Sequence, residues 1–153
     1  MVMEIHEDQP MVEPVTPTRT VEAQFISQRD YGAAWQIHPA LVSGAAFAWA
    51  SFRVPWDFTA WTSIIITLRP FNTANHSIEL QYNGARNGEP WNTHNVTTTV
   101  VHALTANQLY EINSLADAPA FWAALTPGDT VTLRIRETGA NSDYVSLVHG
   151  RYT

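Results

Sequence analysis

Residues 76–82 read HSIELQY. Ile78, Leu80 and Tyr82 alternate with Ser77, Glu79 and Gln81, the period-two pattern of a strand with one face in a core and the other in solvent. Residues 131–136, VTLRIR, repeat it, with Val131, Leu133 and Ile135 opposed to Thr132, Arg134 and Arg136. Outward from these two, residues 45–54 put Phe47 and Trp49 on one face and Phe52 and Val54 on the other. Residues 62–68, TSIIITL, are so rich in β-branched side chains that a strand buried on both faces is expected. Further short strands are predicted over 20–28, 96–101, 108–112 and 144–151. Turn chemistry separates them: Val54-Pro55, Arg69-Pro70, Asn83-Gly84, Asn87-Gly88, Pro127-Gly128-Asp129 and residues 139–143.

Only residues 114–125, SLADAPAFWAAL, read as helical, and Pro119 restricts them to a short helix or two turns that pack through Phe121, Trp122 and Leu125. About eight short strands bounded by turns are the pattern of an all-β, antiparallel β-sandwich of jelly-roll type. Residues 20–153 form that domain. Residues 1–19 precede it as an extended arm, because Pro10, Pro14 and Pro17 forbid helix and Glu4, Glu7, Asp8 and Glu13 meet no basic residue before Arg19. Fully stretched, the arm reaches about 60 Å at ~3.3 Å per residue. Its apolar anchors for a partner are Val2, Ile5, Met11, Val12 and Val15.

Composition removes several function classes. The 153 residues include no cysteine, which excludes disulfides, thiolate metal sites and cysteine nucleophiles. All 8 basic residues are arginine and the net charge is -6, so neither a Schiff-base lysine nor a nucleic-acid-binding surface is expected. No run approaches the ~20 apolar residues of a membrane helix. The opening MVMEIHEDQP lacks the basic and apolar regions of a cleaved leader. No cofactor or metal is expected either. His94 and His102 share a strand face but lie about 26 Å apart at ~3.3 Å per residue, and His38, His76 and His149 occur singly. Asn141-Ser142-Asp143 reads as a plain turn. With no G-x-S-x-G elbow, and no spacing that selects two of Asp57, Glu79, Glu89 and Glu111, no enzyme activity is expected.

Aromatic residues carry the remaining signal. Of 6 tryptophans, Trp35, Trp49, Trp56, Trp61 and Trp122 lie in apolar runs and are expected to fill the space between sheets. Trp91 follows the polar loop NGARNGEP (83–90), so Arg86, Glu89 and Trp91 form a candidate contact for a glycan or a partner.

Three stretches, FRVPWDFTAWTSIIITLRP (52–70), GEPWNTHNVTTTVVHALTANQLYEIN (88–113) and LTPGDTVTLRIRETGANSDYVSLV (125–148), resemble a β-sandwich domain of tailed-bacteriophage virion proteins of the head-decoration or fibre type. The resemblance implies a structural protein made in the host cytoplasm. Such a protein would sit on the capsid surface as a homo-oligomer, a trimer above all, and contact the major capsid protein or another virion protein. No catalytic residue is implied. On that reading the acidic arm attaches a decoration protein to its neighbours; the alternative is a glycan-binding module acting through the Trp91 loop.

Overall fold

A computed structural model describes residues 16–27, 40–41 and 47–153. Among them, ten strands form two five-stranded sheets. The first sheet has the order β1 (Arg19–Glu22), β10 (Asp143–Tyr152), β5 (Trp61–Pro70), β8 (Tyr110–Asn113), with β3 (Ala40–Leu41) also on β10. The second runs β2 (Gln24–Ser27), β4 (Ala48–Arg53), β9 (Thr130–Glu137), β6 (Ala74–Ala85), β7 (His94–Leu104). Every pairing is antiparallel, and only β6 and β7 are both adjacent in sequence and paired. The other connections cross between sheets, which places neighbours in sequence on opposite walls of one core.

The alternation decides which side chains fill that core. Ile78, Leu80 and Tyr82 from β6 and Val131, Leu133 and Ile135 from β9 meet Ile64, Ile66 and Leu68 from β5 and Val145 and Val148 from β10, all of them buried. Beyond β8 come a 3₁₀ turn, Ser114–Asp117, and helix α1, Pro119–Ala124. The Asn113 side chain accepts from the Leu115 N–H and so caps the 3₁₀ turn. Helix α1 inserts Trp122 into one end of the sandwich. Its ring lies parallel to Phe52 at 6.5 Å and edge-on to Trp61, Tyr82 and Phe121 at 5.9, 5.2 and 5.0 Å.

Four expectations change. The first strand is two strands, β1 and β2, because the chain passes from one sheet to the other at Ala23, whose N–H bonds the Val148 carbonyl. Arg19, assigned to the arm, opens β1 opposite Tyr152 and forms an ion pair with Asp57. Strand β5 is fully buried on one face only, since Ser63, Ile65 and Thr67 lie half-buried on the outer side. Asn83-Gly84 is no turn but the interior of β6. A Cβ on Gly84 would lie 2.8 Å from a Leu125 methyl and 3.4 Å from Phe121, so the glycine lets the segment after α1 seat against the sheet. The anchors Val2, Ile5, Met11, Val12 and Val15, together with Trp35 and His38, lie outside the described residues.

Trp122→Ala should cost about 3–5 kcal/mol, the usual range for emptying a buried aromatic site. Urea denaturation should show this as a lowered midpoint with an unchanged slope.

Candidate functional site

The end of the sandwich closed by Trp122 carries three connections: residues 54–60 after β4, residues 86–93 between β6 and β7, and residues 125–129 before β9. Two of them present a tryptophan to solvent. Trp56 is 73% exposed and Trp91 66% exposed. Trp56 therefore corrects its assignment to the core. It lies in an apolar run, but Pro55 follows the end of β4 and turns the chain out of the sheet before the indole is reached.

Trp56 is exposed but held in place. Gly128, at φ 88°, lies under its ring, and a Cβ there would come within 2.6 Å of the indole. The Arg53 guanidinium sits 5.1 Å from the ring centroid while its Nε donates to the Gly128 carbonyl at 3.1 Å. Backbone bonds from Gly128 N to Val54 O and from Val54 N to Asp129 O, 2.9 and 2.8 Å, tie the two loops together. The cation and the close-packed glycine fix an apolar surface that water would otherwise leave without a defined orientation.

The Trp91 loop is braced from beneath. Arg86 N donates to Glu89 Oε2 at 3.1 Å, and Arg86 Nε reaches buried Asp129 Oδ1 at 3.3 Å. The same guanidinium bonds Thr126, and Asp129 also accepts from the Thr126 backbone N–H at 2.8 Å. Thr93 closes the far side through two bonds to the Pro90 carbonyl. Of the three residues singled out in this loop, Trp91 offers free surface, whereas Arg86 and Glu89 spend their polar groups holding the loop to the Trp56 side of the rim.

A cleft of about 370 Å³ opens at the same end. Phe58, Trp61, Leu115, Pro119 and Trp122 line it; Trp61 Nε1 and Trp122 Nε1 are buried beneath its surface and have no hydrogen-bond partner among the described residues. The carboxylates considered for catalysis do not converge. Asp57 is taken by Arg19 and the Tyr152 hydroxyl, Glu79 by Arg134 and Arg136, and Glu89 by the loop, while Glu111 lies on β8.

The histidines divide differently from the sequence expectation. His94 and His102 stand at the two ends of β7, and His149 is buried on β10. His76 is not solitary. At the end of the sandwich opposite the tryptophans it meets Glu137 and Asp143, all three with side chains fully buried. Burial raises the Asp143 carboxyl above the usual carboxylate range, the hydrogen bond and charge of His76 pull it back, and Glu137 raises it again.

No family model and no curated protein matches the chain. Among solved structures it is similar to one titled "Structure of TmCBM61 in complex with beta-1,4-galactotriose", at a TM-score of 0.35 and 8% sequence identity over 88% of each chain. A likeness this distant assigns neither ligand nor site.

Gly128→Ala and Gly88→Ala both place a side chain at positive φ, yet only at Gly128 does the new Cβ meet a ring. Both variants should lose stability by about 1–3 kcal/mol through backbone strain. Only Gly128→Ala should also change the fluorescence of Trp56, measurable against a Trp56→Phe background.

Proposed function

We propose that this domain is a non-catalytic binding module for glycans, and that it engages them through the tryptophan rim. The observation that carries the reading is the pair of exposed indoles, Trp56 and Trp91, on braced loops at one end of the sandwich. A pyranose ring has an apolar face of C–H groups and a polar rim of hydroxyls. A fixed indole matches the first, and the second needs donors and acceptors nearby. Arg53 supplies charge beside the Trp56 ring, and the half-exposed Arg86 guanidinium belongs to the Trp91 loop. Holding the Trp56 ring and the Trp91 loop in place before the ligand arrives reduces the ordering cost of binding. Glu89 and Arg86 act here as positioning residues, not as the principal contacts.

Attachment to a virion surface through the arm is a second reading. It is favoured by residues 16–19, which are exposed where they lead into β1 at the rim end. Its measure is mass in solution: the full chain should be a trimer, and removal of residues 1–18 should dissociate it or release it from particles. A monomer of unchanged binding in both forms contradicts that reading.

For the glycan reading, native affinity electrophoresis in gels containing β-glucan, xylan, mannan or galactan should show retardation in at least one. Trp56→Ala and Trp91→Ala should each weaken it about tenfold or more, the scale of a lost aromatic anchor. The melting temperatures should change little, since both rings are mostly in water. Unretarded migration in every gel contradicts the reading.

A further inference from the structure

The interior of the sandwich ends, away from the rim, in three ionisable side chains from three strands. His76 stands near the start of β6, Glu137 ends β9, and Asp143 opens β10. Two of these strands belong to one sheet and the third to the other. The alternation that turns Ile78 and Ile135 inward turns His76 and Glu137 inward as well, and none of the three side chains has any exposed surface.

Hydrogen bonding sets the protonation of the imidazole. His76 Nε2 lies 3.0 Å from the Asn72 carbonyl oxygen, which can only accept, so Nε2 carries a proton. Nδ1 then faces the carboxylates: 2.9 and 3.1 Å from the two Asp143 oxygens and 3.8 Å from Glu137 Oε2. The other Glu137 oxygen is occupied by the N–H groups of Ser77 and Gly139 at 3.2 and 2.7 Å. Among the described residues Glu137 Oε2 has no hydrogen-bond partner, and Asp143 Oδ1 meets only the imidazole. Among the described residues no arginine forms an ion pair with either carboxylate. With both carboxyls ionised, an imidazolium alone would leave one negative charge uncompensated in a dry interior, where an unpaired charge is costly. A divalent cation beside a neutral imidazole and two carboxylates brings the sum to zero.

We propose that His76 Nδ1, Glu137 Oε2 and the Asp143 carboxylate hold a structural divalent transition-metal ion of the zinc class. The ligand atoms all lie within 4.8 Å of one another. A tetrahedral ion ~2.0–2.1 Å from each ligand would space them by roughly 3.4 Å. The separations from His76 Nδ1 to the two carboxylates, 2.9 and 3.8 Å, bracket that value. Asp143 offers both oxygens toward Nδ1 and can supply two positions. The imidazole selects against calcium and magnesium, which prefer all-oxygen shells. Donation of the second ring nitrogen to a main-chain carbonyl is the outer-shell bond typical of a metal-bound histidine. Asn72 in turn donates to Asn141 at 2.6 Å, and Asn141 donates to the Asn75 carbonyl at 2.9 Å, holding the two flanking loops together. With no exposed surface, the ion would clamp one sheet to the other and reach no substrate. This inference stands apart from the glycan reading.

The test uses the full, tag-free chain stripped with a chelator, followed by elemental analysis and calorimetry with zinc, calcium or no metal added. One zinc per chain is expected. Free zinc at about a hundredfold excess over its dissociation constant should raise the melting temperature by about 5 to 10 °C. Calcium should do neither. Asp143→Asn with Glu137→Gln keeps the shapes and removes the charged ligands, so it should abolish both the stoichiometric zinc and the zinc-dependent shift. Should that variant fail to fold, the wild-type measurement decides by itself. A wild-type chain that takes up no stoichiometric zinc and melts at the same temperature with or without it overturns the proposal, as does calcium acting in zinc's place or a folded double variant that still binds zinc.

Discussion

Everything at the rim depends on how the indole of Trp122 is buried. A sandwich open at its end would expose Phe52, Tyr82 and Trp61 to water, and the two turns between β8 and β9 bring in a ring that closes it. An aromatic in such a position contributes through its large buried area and through edge-to-face contacts of about 0.5–1.5 kcal/mol each. Closure also fixes the start of the segment 125–129, because Leu125 is buried against Gly84 directly after the helix. Gly128 and Asp129 follow within that segment, and they are the residues that seat Trp56 and anchor Arg86. The path from core to surface is thus short: one buried ring orders one segment, and that segment seats the Trp56 ring and braces the loop that carries Trp91.

The two ends of the sandwich solve the same problem by opposite means. At the rim the gap between sheets is filled by apolar rings and covered by a helix. At the far end it is filled by His76, Glu137 and Asp143, whose charges need compensation where the rings need only contact. Apolar packing tolerates the variable loops that hang from it, whereas a buried polar cluster demands that every atom be satisfied. The asparagine bonds around Asn72 and Asn141 reflect that demand, since they hold the backbone groups that orient the histidine.

The strands were legible because period-two alternation is a local property of residues 76–82 and 131–136. The same parity extends beyond the apolar residues. His76 shares the face of Ile78, and Glu137 shares the face of Ile135, so parity marks both as interior residues where the linear spacing of single histidines does not. That they meet Asp143 depends on β10 lying in the opposite sheet, a pairing between distant segments that no local pattern encodes. Trp56 was misread for a related reason. An apolar neighbourhood in sequence indicates burial only while the strand continues, and the strand stops at Arg53. Asn83-Gly84 carried turn chemistry, yet its glycine serves the close approach of Leu125, a contact 41 residues away along the chain (125 minus 84). The exposure of Trp91 was legible because the polar residues and the Asn87-Gly88 turn around it are local, whereas the bracing of its loop by Thr126 and Asp129 is not.

The central claim is that the exposed indoles, and not the buried ones, are the binding surface. Indole N–H resonances report each of the 6 tryptophans separately in a two-dimensional amide spectrum. On titration with soluble oligosaccharides of β-glucan, xylan, mannan and galactan, the account predicts that at least one series shifts the Trp56 and Trp91 resonances together in a saturable way. A spectrum in which neither moves with any of the sugars, or in which tryptophans remote from the rim move instead, would contradict it.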